Sequence, residues 1–401
     1  MRRPKLAVLG LLPLLLTACG GGGGSSVSAS PSSPTSPQPV AFTTAQAASV
    51  VIGQPDFTTN TASVTSTGNG GSYGNPALLN GILYLGDYGY NRVLGYNSIP
   101  TSNGASANFV LGQTSFTGST TGTAMNQMAG PTNAVAYNGD LYVDEYGGNR
   151  IDVYHPAPTA ANSAPNMVSP MAISYTLTNT GCGGFSAPAN VVVVAGKLIV
   201  ADDGHSRILI WNTIPTSSTT PPDVVLGQTS CTGGTVSNQS LAAPSATTLS
   251  YPGGVWSDGT RLVVLDSLNN RILIWNTFPT SNDQAANLVL GQPTFAASTG
   301  NQGGAAPTAA TLYDPWGGVW SNGLQLFVTD ENNNRTLIWN SFPTANDQAA
   351  DVVLGQPNMN STATVAASAT EEYYPSGLLL TGNQLIVADS SNYRYLIYTG
   401  Q

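Results

Sequence analysis

The sequence predicts an all-β protein: a six-bladed β-propeller with four-stranded antiparallel blades, its ring closed by an N-terminal strand that joins the C-terminal blade. Three observations support this prediction. A hairpin-forming sequence recurs six times at intervals of 57 to 64 residues. Further apolar segments flank each copy, and together they make six groups of four. The composition, with 45 glycines, 27 prolines and 8% charged residues, favours short strands joined by many turns.

The charge balance argues against a nucleic acid as partner. The chain has 11 basic and 20 acidic residues, and Arg2, Arg3 and Lys5 stand at its N-terminus. Without these three, the net charge is near −12. A basic patch for nucleic acid cannot be assembled from what remains.

Residues 1–18 are predicted to be a signal peptide. A positive start precedes the apolar run from Leu6 to Leu16, which is too short to span a bilayer. The ending Leu16-Thr17-Ala18-Cys19 resembles a bacterial lipoprotein signal with its lipobox. That resemblance implies cleavage before Cys19 and attachment of lipid to its thiol and new amino group. An ordinary secretory leader with a chance cysteine is the alternative.

The lipid on Cys19 would be the membrane contact of the mature protein. Gly20 follows, with no Asp that would indicate retention at the inner membrane, so we expect the outer membrane, on its periplasmic or surface face. Residues 19–48 are rich in Gly, Ser and Pro and carry no charge, which predicts a disordered tether. The propeller is expected to occupy residues 49–401.

The repeated hairpin is clearest in LVVLDSLNNRILIWN, which begins at Leu262. Two short apolar strands enclose a polar turn, the pattern of a β-hairpin. The other copies begin at Leu83, Leu141, Leu198, Leu326 and Leu385. Each supplies the two middle strands of one predicted blade.

The flanking segments supply the other two strands. A proline and a short apolar stretch precede each hairpin, at Pro76, Pro131, Pro188, Pro252, Pro315 and Pro375. Four hairpins are followed by a V-L-G-Q segment, at Phe109, Val224, Leu288 and Val352, and the second by a degenerate one near Ile173 to Thr178. The sixth hairpin ends the chain, and a spare segment begins at Val50. If that segment completes the last blade, no seam stays unpaired.

The hairpin motif L-[YIF]-V-x-D-x-x-N-N-R-[IV]-x-[VI]-[WY] resembles the NHL repeat, over about 350 residues from Val50 onward. The resemblance implies a β-propeller of that family. The sequence departs from the family pattern at Glu145, which replaces the usual Asp, and at Ser206, which replaces the second Asn. The repeat is also longer than usual, because of the V-L-G-Q extension.

An acid and an arginine occur five residues apart in every copy. The pairs are Asp87 and Arg92, Glu145 and Arg150, Asp202 and Arg207, Asp266 and Arg271, Asp330 and Arg335, and Asp389 and Arg394. Six guanidinium groups around a channel could bind an anion. We favour a structural role, with each arginine paired within its hairpin or with a neighbouring turn, because a catalytic site is not expected in six equal copies. The aromatic residue four positions after each arginine is interpreted as inter-blade packing rather than a stacking platform.

Cys182 and Cys231 hold equivalent positions in successive blades, where other copies have Phe or Met. In an exported protein two such thiols could form a disulfide that joins neighbouring blades. Two apolar replacements for Phe, too far apart to bond, are the alternative.

The sequence predicts no catalytic residue, no metal ligand and no cofactor. His155 and His205 lack zinc-site spacing, and we interpret His205 as a solvated turn residue. Four acidic pairs could supply calcium oxygens but lack a recognised calcium-loop spacing: Asp144-Glu145, Asp202-Asp203, Asp330-Glu331 and Glu371-Glu372. No G-x-S-x-G motif indicates a serine hydrolase.

The long loops between blades should lie on the same face as the hairpin turns, where binding usually resides. They are polar and carry Tyr73, Tyr251, Tyr313, Trp316, Tyr373 and Tyr374 near their ends. We therefore expect a lipid-anchored, monomeric, non-enzymatic scaffold that binds a protein or a glycan. The alternative is a metal-dependent lyase or lactonase with its site at the channel mouth, and a third reading is an envelope-stabilising propeller without a small ligand.

Overall fold

The computed structural model describes residues 38–124, 126–159, 175–232, 236–364 and 366–401. The predicted signal peptide, Cys19 and the first part of the predicted tether lie outside the described residues. Within the described ranges, no helix has the length and apolar character needed to cross a bilayer.

The described residues form six four-stranded antiparallel sheets, which we number as blades in the order of their hairpins. Blade 1 contains β2 (Ala77–Leu79), β3 (Ile82–Asp87), β4 (Arg92–Tyr96) and β5 (Phe109–Leu111). Blade 2 contains β6 (Pro131–Tyr137), β7 (Asp140–Glu145), β8 (Arg150–Tyr154) and β9 (Tyr175–Leu177). Blade 3 contains β10 (Pro188–Val194), β11 (Lys197–Asp202), β12 (Arg207–Trp211) and β13 (Val224–Leu226).

The remaining blades repeat this order. Blade 4 contains β14 (Pro252–Ser257), β15 (Leu262–Asp266), β16 (Arg271–Trp275) and β17 (Leu288–Leu290). Blade 5 contains β18 (Val319–Ser321), β19 (Leu326–Asp330), β20 (Arg335–Trp339) and β21 (Val352–Leu354). Blade 6 contains β22 (Pro375–Thr381), β23 (Gln384–Asp389) and β24 (Arg394–Thr399), and its fourth strand is β1 (Val50–Ile52).

The two ends of the propeller chain meet in blade 6, as the sequence predicts. β1 pairs antiparallel with β24, with Val51 opposite Leu396 and Ile52 opposite Tyr395. Since the outer strand of the last blade comes from the start of the propeller, the ring has no separate first and last sheet. The predicted all-β, six-bladed architecture is confirmed.

The six hairpin turns have similar backbones. A single turn of 3-10 helix follows the acid in five blades, and a turn that is not a 3-10 helix follows it in blade 2. In all six, the residue before the arginine has a left-handed conformation, with φ of 50 to 55°. The six residues are Asn91, Asn149, Ser206, Asn270, Asn334 and Tyr393. Asn adopts this conformation more readily than most residues, which explains why N-R recurs in the motif.

The core lies between the blades, with one buried cluster for each neighbouring pair in the described chain. The aromatic residue four positions after each repeat arginine is buried in the cluster shared with the preceding blade: Tyr96, Tyr154, Trp211, Trp275, Trp339 and Tyr398. Burial of such rings stabilises the stacking of blades. These side chains are therefore packing residues and not a stacking platform for ligand.

The predicted tether ends too late in the sequence. Residues from Val40 onward contact the propeller: Phe42 is 5% exposed and Ala41 exchanges two backbone hydrogen bonds with Gln401. Ala48 N donates to Ala369 O, as Ala286 N and Ala350 N do to their neighbouring loops. In blade 6 these residues therefore take the place of the loop that follows the third strand in the other blades.

Candidate functional site

Every repeat arginine pairs with the acid of its own hairpin. In blade 6, Arg394 Nε lies 2.6 Å from Asp389 Oδ2. The corresponding distances are 2.6 Å for Asp87 and Arg92, 2.7 Å for Asp202 and Arg207, 2.7 Å for Asp266 and Arg271 and 2.8 Å for Asp330 and Arg335. In blade 2, Arg150 Nη2 lies 2.8 Å from Glu145 Oε1. The charges of each repeat acid and arginine cancel, and in blade 2 Arg150 Nη2 also lies 3.1 Å from Asp152 Oδ2.

The rest of each guanidinium group holds the loops between blades. Arg394 Nη1 donates to the Phe57 carbonyl at 2.5 Å, and its Nη2 donates to the carbonyls of Ser368 and Glu371, both at 2.9 Å. The arginines of the other blades donate to inter-blade loops in the same way, and all six are at most 6% exposed. These groups are therefore not free to bind an anionic ligand.

The hairpin turns and the inter-blade loops lie together on one face, which we call the turn face. Tyr88 N donates to Gly71 O and Tyr146 N to Gly130 O, and in the other four blades the next residue of the turn donates to the inter-blade loop. Two sets of equivalent residues surround the central axis here. The first set directly follows the repeat acid: Tyr88, Tyr146, Asp203, Ser267, Glu331 and Ser390. The second follows the proline, or Ser72 in blade 1: Tyr73, Thr132, Ala189, Gly253, Trp316 and Ser376.

Four aromatic rings from these two sets form a closed circuit of edge-to-face contacts. Tyr73 and Tyr88 have ring centroids 5.1 Å apart, Tyr88 and Tyr146 6.5 Å, Tyr146 and Trp316 6.3 Å, and Trp316 and Tyr73 5.7 Å. With Thr132 they line a cavity of about 220 Å³, which we call the mouth. All four rings are half-buried.

Trp316 reaches the mouth because its neighbour in blade 4 is a glycine. A Cβ atom on Gly253 would overlap Cδ1 of the Trp316 ring. With no side chain there, Trp316 extends from blade 5 across the axis to Tyr146 in blade 2. The first glycine of P-G-G in blade 4 thus leaves the space that the tryptophan of P-W-G-G in blade 5 occupies.

Below the mouth the inner strands approach one another directly. Gly74 N of blade 1 donates to Ser376 O of blade 6 at 2.9 Å, and Asn190 Nδ2 of blade 3 donates to Gly317 O of blade 5 at 3.1 Å. A Cβ on Gly317 would overlap the Ser376 carbonyl, so this close approach needs glycine. These contacts form a floor to the mouth.

Carboxyl groups stand behind the aromatic rings. Asp203 is 3% exposed, and the Tyr146 hydroxyl donates to its Oδ2 at 3.4 Å. Burial, reinforced by the charge of Asp314, raises the pKa of Asp203 to about 7. Burial also raises the pKa of Glu331 well above its usual range, with a further contribution from Asp314.

These carboxyl groups have no basic partner among the described side chains. The six repeat arginines pair with their own acids, Arg261 pairs with Asp258, and Lys197 Nζ donates to Asn212. The mouth therefore combines π-electron faces with acidic groups and lacks a compensating cation.

The acidic pairs considered for calcium are separated by the fold. Glu145, Asp202 and Asp330 serve the repeat arginines, whereas Asp144 accepts from Thr132 and Glu372 accepts from Thr336 and Tyr398. Within the described residues, no three His, Cys, Asp or Glu side chains are grouped so as to hold a metal ion. His205 is not a solvated turn residue, because its Nδ1 lies 3.0 Å from Asp202 and its side chain is 19% exposed.

The structure joins Cys182 and Cys231 in a disulfide, with Cα atoms 5.4 Å apart. Cys182 packs in the cluster between blades 2 and 3, with Cys231 beside it. This bond would tie the loops that follow the second and third blades.

Sequence reasoning found part of the mouth. Of the loop-end aromatics, Tyr73 and Trp316 line it, while Tyr251, Tyr313 and Tyr373 are exposed elsewhere on the turn face. Tyr88, Tyr146 and Asp203 were not recognised as members. Their signal is positional: they directly follow the repeat acid, at a position whose residue differs from blade to blade while the acid and arginine recur.

No protein-family model and no curated protein matches this chain. Among solved structures it is similar to the WD40 β-propeller domain of Doa1, with 12% identity and a TM-score of 0.45 over 91% of this chain and 97% of that one. A streptogramin B lyase matches with 12% identity and a TM-score of 0.43, over 85% and 96%. A virginiamycin B lyase from Staphylococcus aureus matches with 11% identity and a TM-score of 0.40, over 82% and 94%. At such identities these likenesses concern the fold alone.

Proposed function

We propose that this chain is a lipid-anchored NHL-type propeller of the bacterial cell envelope that acts as a non-enzymatic binding module for a protein or a glycan. The mouth carries this proposal. At the repeat acid and arginine, the six blades are chemically alike, as a structural role requires. Around the mouth, equivalent positions carry different residues, and four of them are half-buried aromatics lining a cavity. Concave aromatic sites on rigid scaffolds are where ligands usually bind.

The rest of the turn face suits a polar partner. Tyr251, Tyr313 and Tyr373 are 42%, 46% and 37% exposed and stand among Ser, Thr, Asn and Gly residues of the inter-blade loops. Exposed tyrosines offer a flat apolar surface together with a hydroxyl group, which suits both sugar rings and protein side chains. The ligand would therefore contact the mouth and the surrounding loops together.

The anchoring part of the proposal depends on the sequence of residues 16–19. Replacing Cys19 by Ala should release the protein from the membrane fraction of a bacterial host that processes lipoproteins, without changing its melting temperature. Labelling with a fatty-acid analogue should mark the parent chain and not C19A. Equal labelling of both, or a C19A protein that stays in the outer membrane, would contradict lipid attachment at Cys19.

Binding can be tested by capture in the envelope. The full chain is crosslinked in cells and compared with the variant Tyr88→Ala/Trp316→Ala, which removes two rings of the mouth. Leu324→Ala is the matched control, since Leu324 is 38% exposed and lies between the first two strands of blade 5, away from the turn face. We expect the double variant to lose a partner or glycan that the parent and the control retain. Identical capture by all three would overturn the proposal.

The metal-dependent lyase or lactonase has one observation in its favour, namely the carboxyl group of Asp203 with a pKa of about 7 beside a cavity. Metal content separates the two proposals. A stoichiometric, tightly bound metal whose removal abolishes a measurable activity would favour the enzyme. Ligand capture unchanged by chelation would favour the binding module.

A further inference from the structure

The chemistry of the mouth points to a particular kind of ligand group. Four aromatic side chains enclose the cavity of about 220 Å³, in contact with one another at centroid distances of 5.1 to 6.5 Å. The face of an aromatic ring is electron-rich, and it attracts a cation that lies within about 6 Å of its centre. A cage of several rings binds organic cations better than a single ring does, because each face contributes.

The acidic groups behind the cage also favour binding of a cation. Asp203 touches the outer side of the cage through the Tyr146 hydroxyl, at 3.4 Å. Glu331 is near enough to Tyr73 to raise the pKa of its hydroxyl, after the larger effect of burial. The described basic side chains are paired elsewhere. With a pKa of about 7, Asp203 is partly ionised at neutral pH, and a cation bound in the mouth would favour its ionised form.

We infer that the mouth binds a quaternary ammonium group, held by the faces of Tyr73, Tyr88, Tyr146 and Trp316 with Asp203 behind them. This inference rests on the proposed binding function and specifies its ligand. A primary ammonium would need acceptors for three N–H groups. The lining side chains are the four aromatic residues and Thr132, whose hydroxyl donates to Asp144 Oδ2 at 2.8 Å and keeps only its oxygen as an acceptor. A fully alkylated nitrogen has no N–H to satisfy.

The size of the cavity limits the ligand to a small head group. Sites for drug-sized molecules usually measure roughly 300 to 1,000 Å³, and the mouth is smaller than that range. A trimethylammonium group would fit within the mouth, and the remainder of the ligand would extend to the polar loops of the turn face. The group could belong to a free solute or to a lipid or polymer that carries it.

The test compares two ligands of nearly equal shape. Choline and its uncharged carbon isostere 3,3-dimethylbutan-1-ol are titrated into the full-length protein in detergent by calorimetry. We expect choline to bind at least about 10-fold more tightly. Trp316→Leu and Tyr88→Leu should each weaken choline binding by about 10-fold or more, and Asp203→Asn by a smaller factor, because it removes charge and keeps the shape. Asp258→Asn, an acid beside Arg261 in the hairpin loop of blade 4, is the control and should leave affinity unchanged.

Equal affinity for the two ligands, or no choline binding by a protein whose melting is cooperative, would overturn the inference. Vesicles with and without phosphatidylcholine distinguish the sources, since preferential binding to the former identifies a lipid head group and choline binding without it identifies a solute. The envelope capture experiment and the choline titration can fail independently of each other. Mouth-dependent capture without choline binding would support the binding module and contradict the ammonium site. Choline binding without capture would support the ammonium site and contradict the binding of an envelope protein or glycan.

Discussion

The indole of Trp316 packs edge-on against the phenol ring of Tyr146, with centroids 6.3 Å apart. The two residues belong to blades 5 and 2, which face each other across the axis of a six-membered ring. A propeller usually brings only neighbouring blades into contact through their sheets. Here one side chain joins opposite blades on the turn face, so the shape of the mouth depends on where Trp316 can go.

Gly253→Val should move Trp316. The valine side chain would occupy the space of the indole, because even a Cβ atom at this position would overlap the ring. We expect a loss of about 1 to 3 kcal/mol in the free energy of unfolding, as overpacking causes, and a change in tryptophan fluorescence and near-ultraviolet circular dichroism. Ala306→Val, at an exposed loop position, is the control. Unchanged aromatic spectra in a stable G253V protein would show that Trp316 does not need this space.

Arg394→Met should destabilise the closure of the ring. Arg394 is fully buried, neutralises Asp389 and also holds the Phe57 carbonyl, so the substitution leaves an uncompensated buried carboxylate. Breaking such a pair costs about 3 to 5 kcal/mol. Arg394→Lys should not restore stability, because one ammonium cannot make the four hydrogen bonds of the fork.

Denaturant unfolding monitored by circular dichroism measures this effect. Arg261→Met is the matched control, since the Arg261 side chain is 22% exposed and its pair with Asp258 should contribute less than about 1 kcal/mol. Similar losses for R394M and R261M would mean that the buried pair is not the stronger of the two.

Phe42→Ala tests the corrected boundary of the propeller. Phe42 packs against Phe327 with ring centroids 6.1 Å apart and belongs to the cluster between blades 5 and 6. Removal of a buried phenyl group costs about 3 to 5 kcal/mol. Thr43→Ala changes an exposed neighbour and should cost little. If residues 40–48 were a tether, both substitutions would leave the melting temperature unchanged.

The sequence was sufficient to predict the architecture because the same hairpin turn recurs six times. A polar turn with a left-handed residue before the arginine needs Asn or a similar residue, and it therefore leaves the same signature at Asn91 as at Asn334. The closure by Val50 to Ile52 followed from counting strands. Phe42 was missed, although F-x-x-x-Q-A-A at residues 42–48 is a shortened form of the F-P-T-S-N-D-Q-A-A loop from Phe278. The Ala and Thr residues of this segment do not distinguish it from a tether, because backbone contacts rather than composition place it in the propeller.

The mouth was harder to predict because it depends on differences between repeats and on contacts across the axis. Nothing near Trp316 in the sequence indicates that it will meet Tyr146, about 170 residues away, or that Gly253 will make room for it. The pattern of the repeat identifies equivalent positions. Which residues from different blades then come into contact depends on the arrangement of the six blades around the axis.

Cys182 and Cys231 should contain no free thiol in the native protein. The bond joins residues 49 apart, and a loop of that length stabilises a folded chain by about 4 kcal/mol in the chain-entropy description. Mass spectrometry after alkylation should show both cysteines protected until a reductant is added. Cys182→Ser/Cys231→Ser should melt at a lower temperature than the oxidised parent and at a similar temperature to the reduced one. Two alkylatable thiols in native protein would contradict the bond.

Glu372→Gln should remove part of the dependence of stability on pH. Glu372 is 1% exposed and accepts hydrogen bonds from Thr336 and Tyr398. Burial, reinforced by the charge of Asp389, raises its pKa to about 8 from 4.5. The folded protein thus binds this proton more tightly than the unfolded chain does. The contribution is fully favourable below about pH 4.5 and is lost as the pH rises towards about 8.

In that window one such group lowers the free energy of unfolding by at most about 1.4 kcal/mol for each pH unit. We expect the parent to lose stability more steeply than E372Q between pH 5 and 8, as measured by urea unfolding at several pH values. Asp56→Asn is the control with the opposite sign: hydrogen bonds from Thr58 and Thr59 lower the pKa of this exposed acid to about 2, so its contribution changes only below about pH 4. Parallel curves for the parent and E372Q across the window would mean that Glu372 is already ionised at pH 5, and that the hydroxyl groups of Thr336 and Tyr398 are enough to hold its charge in the core.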